Sequence, residues 1–451
     1  MELPSGWQFY ISSELLIKGI IMKAVLKNIN LLHPGQKLNE KEIDILLVNG
    51  LISKIGNLTK VDSAGAEVFN LSGKYVVPGL FDMHVHLREP GREDEETVIT
   101  GCNAAANGGY TGIACMPNTE PAIDSVEVVE LIRKQASAHL VDVHIVGAAT
   151  LGRKGEVISP MAELKDAGVV AFSDDGVAIK TAGILKRIFE YSKMFNIPII
   201  EHCEDESLAS GAMNEGVNST MLGLPPIPSI AEDLIVIRDI LVSEYTGGRI
   251  HIAHISTKKS IEFVREAKRK GLKVSAEVTP HHFTLTDDSV KTYDTNTKMS
   301  PPLRSQHDLD EICRGLQDGT IDCIASDHAP HSIEEKEAEF EHAPNGITGL
   351  ETQVGLALTE LFHKNILNLE KLIEKMAINP RKVLNIPVPK FEAGQIANFT
   401  ILDIDEIWTV DLTKSKSKSI NSPFDKRLLT GKAVAVINKG TMFYQDKYIM
   451  L

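Results

Sequence analysis

Eight alternations of an apolar, strand-like run with a helical pattern fill residues 79–385, and this repeat restricts the fold more than any other feature. The first strand leads to His84, and the others are centred on Gly112–Met116, Val143–Gly147, Val169–Phe172, Pro198–His202, Ile250–Ile255, Lys273–Val278 and Ile321–Ser326. Continuous apolar strands are typical of parallel sheets covered by helices. Eight of them predict an α/β fold, a TIM-like (β/α)8 barrel with its chemistry at the carboxyl ends of the strands.

Short strands and turns occupy both ends of the chain. The run 42–55 carries Asn49-Gly50, which favours a type I′ hairpin turn, and further strands occupy 395–402 and 433–440. Because neither end has enough strands for a stable sheet, we expect one small β-sandwich domain built from 22–78 and 386–451. Residues 1–21 are interpreted as an N-terminal extension with Met22 as an alternative initiator, or as an ordered arm.

Charge and composition exclude several classes of protein. The net charge of −14, from 47 basic and 61 acidic residues, disfavours nucleic acid as a partner. The chain lacks a run of about 18 or more uncharged apolar residues, so we expect no membrane span. The five cysteines form no Cys-x-x-Cys pair, which is typical of reduced thiols and predicts a cytoplasmic location.

Metal-ligand residues follow five of the predicted strands. His84 and His86 alternate with Val85, so both imidazoles can face one point. The ligand-type residues after later strands are Asp174, Asp175, His202, His254 and Asp327. Four histidines with one or two carboxylates suit Zn²⁺, and the set is sufficient for two ions that share a ligand.

Two further residues have predicted roles in chemistry. Asp327 would bind one metal and take a proton from water, as a general base. Arg88, two residues beyond His86, offers a fork of donors suited to a carboxylate.

The sequence resembles the dihydroorotases of the amidohydrolase superfamily over roughly residues 22–451. The motifs that carry the resemblance are His84-Val-His-Leu-Arg-Glu-Pro-Gly91, Met116-Pro-Asn-Thr119, Phe172-Ser-Asp-Asp-Gly176, Glu201-His-Cys-Glu204, His251-Ile-Ala-His-Ile-Ser256, Lys298-Met-Ser-Pro-Pro-Leu-Arg304 and Ser326-Asp-His-Ala-Pro-His331. The resemblance implies reversible, zinc-dependent cyclisation of N-carbamoyl-L-aspartate to L-dihydroorotate, the third step of pyrimidine synthesis.

The resemblance also implies roles for individual residues. The residues similar to the ligands of the first metal are His84, His86 and Asp327, and those of the second are His202 and His254. Asp175 resembles the shared ligand, and the adjacent Asp174 is the alternative. A carboxylate stands where many superfamily members have a carbamylated lysine, so one or two zinc ions per chain are both compatible with the sequence. The residues that resemble substrate contacts are Arg88, Asn118, Asn296 and His331.

Several alternatives stay open at this level. A hydantoinase, dihydropyrimidinase or allantoinase would also fit the barrel, although Arg88 favours a substrate that bears a carboxylate. A non-enzymatic alternative is that the chain serves as a scaffold for aspartate transcarbamoylase. Residues 331–349 are either a surface loop or a segment that covers the substrate. The resemblance further implies a homodimer. The histidines that we do not expect to bind metal include His144, His251, His281, His282 and His328.

Overall fold

The computed structural model describes residues 21–451. The N-terminal extension predicted for residues 1–21 therefore lies outside the described residues, apart from Ile21. Within the described range, no helix combines the length and the apolar character that crossing a membrane requires.

Eight parallel strands form the sheet predicted for the middle of the chain. In chain order they are Leu80–Val85, Tyr110–Cys115, Asp142–Ala148, Ala171–Ser173, Ile199–Glu201, Ile250–Ile252, Val274–Val278 and Cys323–Ile324. Each strand pairs with the next one along the chain. A parallel bridge between Val85 and His328 brings the last strand back to the first, and the His86 amide donates to the His328 carbonyl at 2.9 Å. The predicted (β/α)8 barrel is confirmed.

Helices fill the connections between these strands. Among the α-helices in these connections are Val98–Gly108, Val126–Ala136, Met161–Asp166, Ala182–Ser192, Ile230–Thr246, Lys258–Arg269 and Gln306–Asp318. After the eighth strand come Gln353–Ala357, Leu369–Ile373 and Asn379–Val383, interleaved with the π-helical turns Leu358–Phe362 and Glu374–Ile378. Short α-helices occupy Val217–Leu222, Pro280–Thr284 and Ile333–Lys336. The 3₁₀ turns are Pro34–Gln36, Leu151–Arg153, Lys193–Phe195, Asp287–Thr292, Thr295–Thr297 and Leu412–Lys414.

Lys258–Arg269 shows why these segments form helices and where they pack. Thr257 caps the helix, because its Oγ1 accepts a hydrogen bond from the Ser260 amide at 3.1 Å. The apolar residues Ile261 and Val264 recur at helical spacing and are fully buried against the barrel. The cap thus defines where the helix begins, and the apolar stripe defines the face that packs on the barrel.

The strands of the two chain ends form a single nine-stranded sheet. Its members are Lys23–His33, Leu38–Val48, Leu51–Gly56, Glu67–Asn70, Tyr75–Pro78, Phe399–Thr409, Leu428–Asn438, Thr441–Tyr444 and Lys447–Met450. Tyr75–Pro78 joins the two ends, since it pairs with Lys23–His33 on one side and with Phe399–Thr409 on the other. A second domain built from both ends is therefore confirmed. Asn49 and Gly50 have φ values of 51° and 75°, as the predicted type I′ turn requires.

The chain passes from this sheet to the barrel at one residue, Gly79. Tyr75–Pro78 lies in the nine-stranded sheet, and Leu80–Val85 begins the barrel. A Cβ atom at Gly79 would lie 2.0 Å from Asn398 Oδ1 and 2.1 Å from Thr111 Oγ1, so a larger residue would require these side chains to shift. The close approach anchors the first barrel strand directly to the second domain.

Two further short strands, Met213–Asn214 and Pro226–Ile227, pair with each other outside both large sheets.

Candidate metal centre and substrate site

The six predicted ligands lie at or just beyond the carboxyl ends of five barrel strands, as the sequence indicated. Parallel strands that are neighbours in a barrel bring such positions to one end of it. All six are buried, and their relative exposures range from 0% to 8%: His84, His86, Asp175, His202, His254 and Asp327. The barrel therefore collects imidazole and carboxylate groups that come from distant parts of the chain.

Three of these residues form a first cluster. His86 Nε2 lies 3.0 Å from Asp327 Oδ1, and His84 Nε2 lies 3.6 Å from the same oxygen. One ligand atom from each of the three residues falls within 4.8 Å of the others. This is the trio that the resemblance implied for a first metal.

Asp175 joins that cluster to a second one. Its Oδ1 lies 3.3 Å from His84 Nε2, 3.9 Å from His254 Nε2 and 4.0 Å from His202 Nδ1. Its Oδ2 lies 3.5 Å from His86 Nε2. A carboxylate within 4.0 Å of all four histidines is placed as a shared ligand would be.

The neighbouring Asp174 points elsewhere. Its two carboxylate oxygens accept hydrogen bonds from the Thr150 amide at 2.9 Å and from Thr150 Oγ1 at 2.6 Å. Of the two adjacent acids, only Asp175 faces the histidines, which favours it over Asp174.

Buried atoms in this cluster fit a bound cation. His84 Nε2 and Asp175 Oδ1 have no hydrogen-bond partner among residues 21–451. His202 Nδ1 and His254 Nε2 lie 3.0 Å apart. Unsatisfied buried polar atoms are costly, and a divalent ion would satisfy several of them at once. Imidazole and carboxylate together are the donor set of zinc sites.

Three of the histidine rings each contact a polar side chain through one ring nitrogen. His84 Nδ1 lies 2.6 Å from Glu277 Oε1, His86 Nδ1 donates to Asn118 Oδ1 at 2.7 Å, and His202 Nε2 lies 3.3 Å from Glu204 Oε2. Such contacts fix the ring orientation and leave the other nitrogen free for a metal. Asn118, which was expected to contact substrate, thus bonds a predicted ligand.

Sequence reasoning missed the roles of Glu277 and Glu204. The sequence did contain a signal for Glu277, because it is an acid within the apolar strand Val274–Val278. It lies two residues after Ser275, so both side chains point to the same face. Its second oxygen lies 3.2 Å from His251 Nε2, and His251 Nδ1 lies 2.8 Å from Ser275 Oγ. His251 therefore supports Glu277.

The charges of this cluster stabilise one another. Burial alone would raise the pKa of Asp327, but His86 and His84 outweigh it and lower that pKa. Burial is likewise outweighed at Glu277, where His84 and His251 lower the pKa to about 2. Both carboxylates are therefore ionised at neutral pH.

A guanidinium lies beside this cluster, as predicted. Arg88 Nε lies 3.1 Å from Glu95 Oε2 and donates to the Pro330 carbonyl at 3.1 Å. Arg88 Nη2 lies 3.3 Å from His331 Nε2, and His331 Nδ1 lies 2.8 Å from Glu95 Oε1. Glu95 thus holds Arg88 and His331 together.

Asn296, the fourth predicted substrate contact, lies in the turn Thr295–Thr297. Its amide N–H donates to Asp294 Oδ1 at 3.0 Å, which fixes the backbone. Its Oδ1 is buried and has no hydrogen-bond partner within the described chain. A free buried acceptor of this kind suits an amide N–H of a ligand.

Three residues of this site have an unusual backbone conformation. Arg88, His254 and Asp327 have φ values of 59°, 30° and 48°, in the left-handed region that non-glycine residues seldom adopt. Such conformations cost about 1–3 kcal/mol each and are typical of functional sites.

Of the histidines not expected to bind metal, several bond other side chains or carbonyls, and His144 packs against the Phe81 ring. His282 bonds Thr279 Oγ1 and the Pro301 carbonyl, and His328 bonds Glu96 and the Gly349 amide. The His281 Nε2 atom is buried without a partner within the described residues, and burial lowers the pKa of this ring to about 4.

Residues 331–349 contain the helix Ile333–Lys336 and return to the barrel end. The Asn345 carbonyl lies 2.8 Å from His331 Nε2. Asn421 Nδ2 donates to the Ala329 and Gly346 carbonyls at 3.0 and 3.1 Å. The segment is thus fixed at both of its ends.

Comparison with known proteins gives consistent results. A family model described as "Dihydro-orotase-like" matches residues 73–260. The chain is 49% identical over 430 residues to a "Dihydroorotase" of Pelotomaculum thermopropionicum, covering 95% of this chain and 100% of that protein. It is 45% identical to one of Syntrophus aciditrophicus, covering 94% and 100%.

Solved structures resemble the whole fold. An L-hydantoinase (dihydropyrimidinase) from Arthrobacter aurescens has a TM-score of 0.84 at 27% identity, covering 95% of this chain and 97% of that one. A dihydropyrimidinase from Brevibacillus agri has a TM-score of 0.82 at 20% identity, covering 95% and 96%, and it shows similarity of fold alone.

Proposed function

The chain belongs to the dihydroorotase family, and from this premise we propose how the barrel end carries out the reaction of that family. The chain is a hydrolase that acts on a cyclic amide, and its reaction is the reversible conversion of N-carbamoyl-L-aspartate to L-dihydroorotate. The observation that carries the assignment of residues is the convergence of six buried ligand-type side chains beside Arg88.

We propose that the bound metal is zinc, in one or two ions per chain. His84, His86 and Asp327 would hold one ion, His202 and His254 would hold the other, and Asp175 would contact both. Bound there, zinc supplies a Lewis acid for the amide carbonyl and a lower pKa for water. The unsatisfied His84 Nε2 and Asp175 Oδ1 support this assignment.

Asp327 is the proposed proton carrier. Its ionised carboxylate can accept a proton from water during ring opening and deliver it to the leaving ring nitrogen. In the cyclisation direction the same carboxylate takes the proton from the attacking carbamoyl nitrogen and delivers it to the carboxyl oxygen that leaves as water. Its contact with His86 keeps the accepting oxygen, Asp327 Oδ1, in place at 3.0 Å from His86 Nε2.

Substrate binding falls to the polar groups beside the metal ligands. We propose that Arg88 binds the substrate carboxylate, since a guanidinium can donate two parallel hydrogen bonds to it. His331 contacts the same Glu95 carboxylate as Arg88, so the two side chains lie next to each other. Asn296 would accept a ring N–H through its free Oδ1, and Asn118 would contribute mainly by holding His86.

Replacing Arg88 with lysine tests the choice of substrate. Lysine keeps a positive charge but loses the paired donors, so we expect kcat/KM for dihydroorotate to fall by about 10–100-fold. Zinc content, measured as the metal-to-protein ratio, should not change.

The wild-type protein should open dihydroorotate but not hydantoin, dihydrouracil or allantoin, none of which bears the ring carboxylate. Turnover of one of these three without turnover of dihydroorotate would favour a hydantoinase-type function instead.

Homodimer formation, association with aspartate transcarbamoylase and a cytoplasmic location are proposed as well. They are supported by the resemblance, and the location also by the free thiols, of which four are buried. Sedimentation of the protein alone and with the transcarbamoylase measures the first two.

A further inference from the structure

Two buried lysines, Lys298 and Lys336, donate to main-chain oxygens beside the substrate site. Lys298 Nζ donates to the carbonyls of Glu341 and Ala343, both at 2.7 Å. Lys336 Nζ donates to the carbonyls of Thr295 and Pro344 at 2.9 and 2.8 Å. Each side chain is only 6% exposed. Burial of an ammonium group is costly, so four such bonds mark a specific arrangement.

Three of these four bonds join two segments, in both directions, and the bond from Lys336 to Pro344 lies within one segment. Lys298 reaches from the turn at 295–298 to the segment 333–346, and Lys336 reaches back from that segment to the turn. Two further bonds run alongside, from the Gly346 amide to the Lys298 carbonyl at 3.0 Å and from Thr295 Oγ1 to the Lys336 carbonyl. We call this pair of lysines with the two segments the lysine clasp.

The lysine clasp contains one proposed substrate contact and touches a second. Asn296, with its free Oδ1, lies in the turn between Thr295 and Lys298. At the other side, the Asn345 carbonyl lies 2.8 Å from the ring nitrogen of His331 that also meets Arg88. A shift of either segment would therefore move groups on both sides of the substrate.

We propose that Lys298 and Lys336 are positioning residues that fix Asn296 and His331 for the carboxylate-bearing substrate, an inference that rests on the proposed function. Neither lysine touches the reacting atoms. Their effect on substrate binding comes through the geometry of the groups that hold the ring.

Single replacements of either lysine by methionine test this proposal. Methionine keeps the apolar stem and removes the donors, so we expect KM for dihydroorotate to rise by about tenfold in each variant. We expect kcat to change by less than about threefold, because the lost contacts act on the bound ring in both ground and transition state. Lys336→Arg, which retains N–H donors, should restore much of the loss.

Lys375→Met is the matched control. Lys375 is equally buried, at 5% exposure, and donates to the Ile321 carbonyl, outside the clasp segments. We expect this variant to lower Tm without changing KM. An unchanged KM in both clasp variants, or an equal rise in the control, would overturn the proposal.

Hydrogen exchange of residues 333–346, measured without substrate, gives a second readout. Exchange should be faster in Lys336→Met than in the wild type and in the Lys375→Met control. Unchanged exchange would contradict the clasp. If the wild type failed to open dihydroorotate, the proposed function would fail, whereas the exchange experiment would still decide whether the lysines hold the segment.

Discussion

Glu277 is the side chain on which the orientation of His84 depends most directly. One of its oxygens lies 2.6 Å from His84 Nδ1 and the other 3.2 Å from His251 Nε2, and all three residues are fully buried. The carboxylate thus fixes a ring whose opposite nitrogen faces Asp175 and Asp327. A contact of this kind also makes the ring a stronger ligand.

We expect Glu277→Gln to weaken binding of the proposed zinc by about 10–100-fold, because the amide holds His84 without a charge. Titration of the metal-free protein with zinc against a competing chelator measures the affinity. Ser275→Ala is the control, since Ser275 reaches the cluster only through His251. Equal zinc affinities in the wild type and the glutamine variant would show that Glu277 does not orient the ligand.

At this scale the sequence predicted which residues converge but not how each one points. Asp174 and Asp175 are adjacent after one strand, and their pattern alone does not separate them. They are separated by Thr150, which is distant in sequence and binds both oxygens of Asp174. Glu277 escaped notice for a similar reason, because its partners His84 and His251 lie on other strands.

Among the elements, the short helix Asn379–Val383 is held to the amino end of the first barrel strand by Arg381. Arg381 Nη1 donates to the carbonyls of Gly79 and Ala377 at 2.6 and 2.7 Å, and its guanidinium lies 5.0 Å from the centre of the Phe81 ring. Burial lowers the pKa of this group to about 9, so it is still charged at neutral pH. The contact connects the last helix of the barrel to its first strand.

Arg381→Met should therefore destabilise the protein by about 2–4 kcal/mol, since it leaves the buried Gly79 carbonyl without its donor. Denaturant unfolding followed by circular dichroism measures the loss. Arg187→Met, on the outer surface, is a suitable comparison and should change stability by less than about 0.5 kcal/mol. Similar stabilities for both variants would contradict the role given to Arg381.

The regular helices could be predicted because caps and apolar spacing agree, as in Lys258–Arg269. The π-helical turns Leu358–Phe362 and Glu374–Ile378 could not. Each continues an α-helix, and the wider turn changes the backbone bonding without changing the apolar spacing enough to reveal it. Their placement depends on packing that local sequence does not record.

Over the whole molecule, the barrel and the second domain are joined through Tyr75–Pro78. This strand pairs with strands from both chain ends, and the next residues begin the barrel. The strand count followed from apolar runs that are buried on both faces. The order of strands in the nine-stranded sheet did not, since it depends on pairings between distant segments.

Removal of residues 396–451 should leave a chain that does not fold cooperatively. The deletion takes away four strands of the sheet and exposes the apolar side chains Val76 and Val77 on Tyr75–Pro78. We expect loss of the sharp thermal transition and binding of a hydrophobic dye, as in partly folded states. Co-expression of the missing segment should restore the transition through pairing of Phe399–Thr409. A truncated chain with a wild-type Tm would show that the barrel is independent of the second domain.

The same joint has a consequence for synthesis on the ribosome. Leu80 opens the barrel, yet the hydroxyl that accepts its amide belongs to Thr400, 320 residues later. At typical rates of translation, the strand with the accepting hydroxyl emerges roughly 16–64 s after the donor residue Leu80. For that interval the nascent chain presents an unpaired, apolar strand edge, so newly made copies are expected to depend on chaperones until the C-terminal strands arrive.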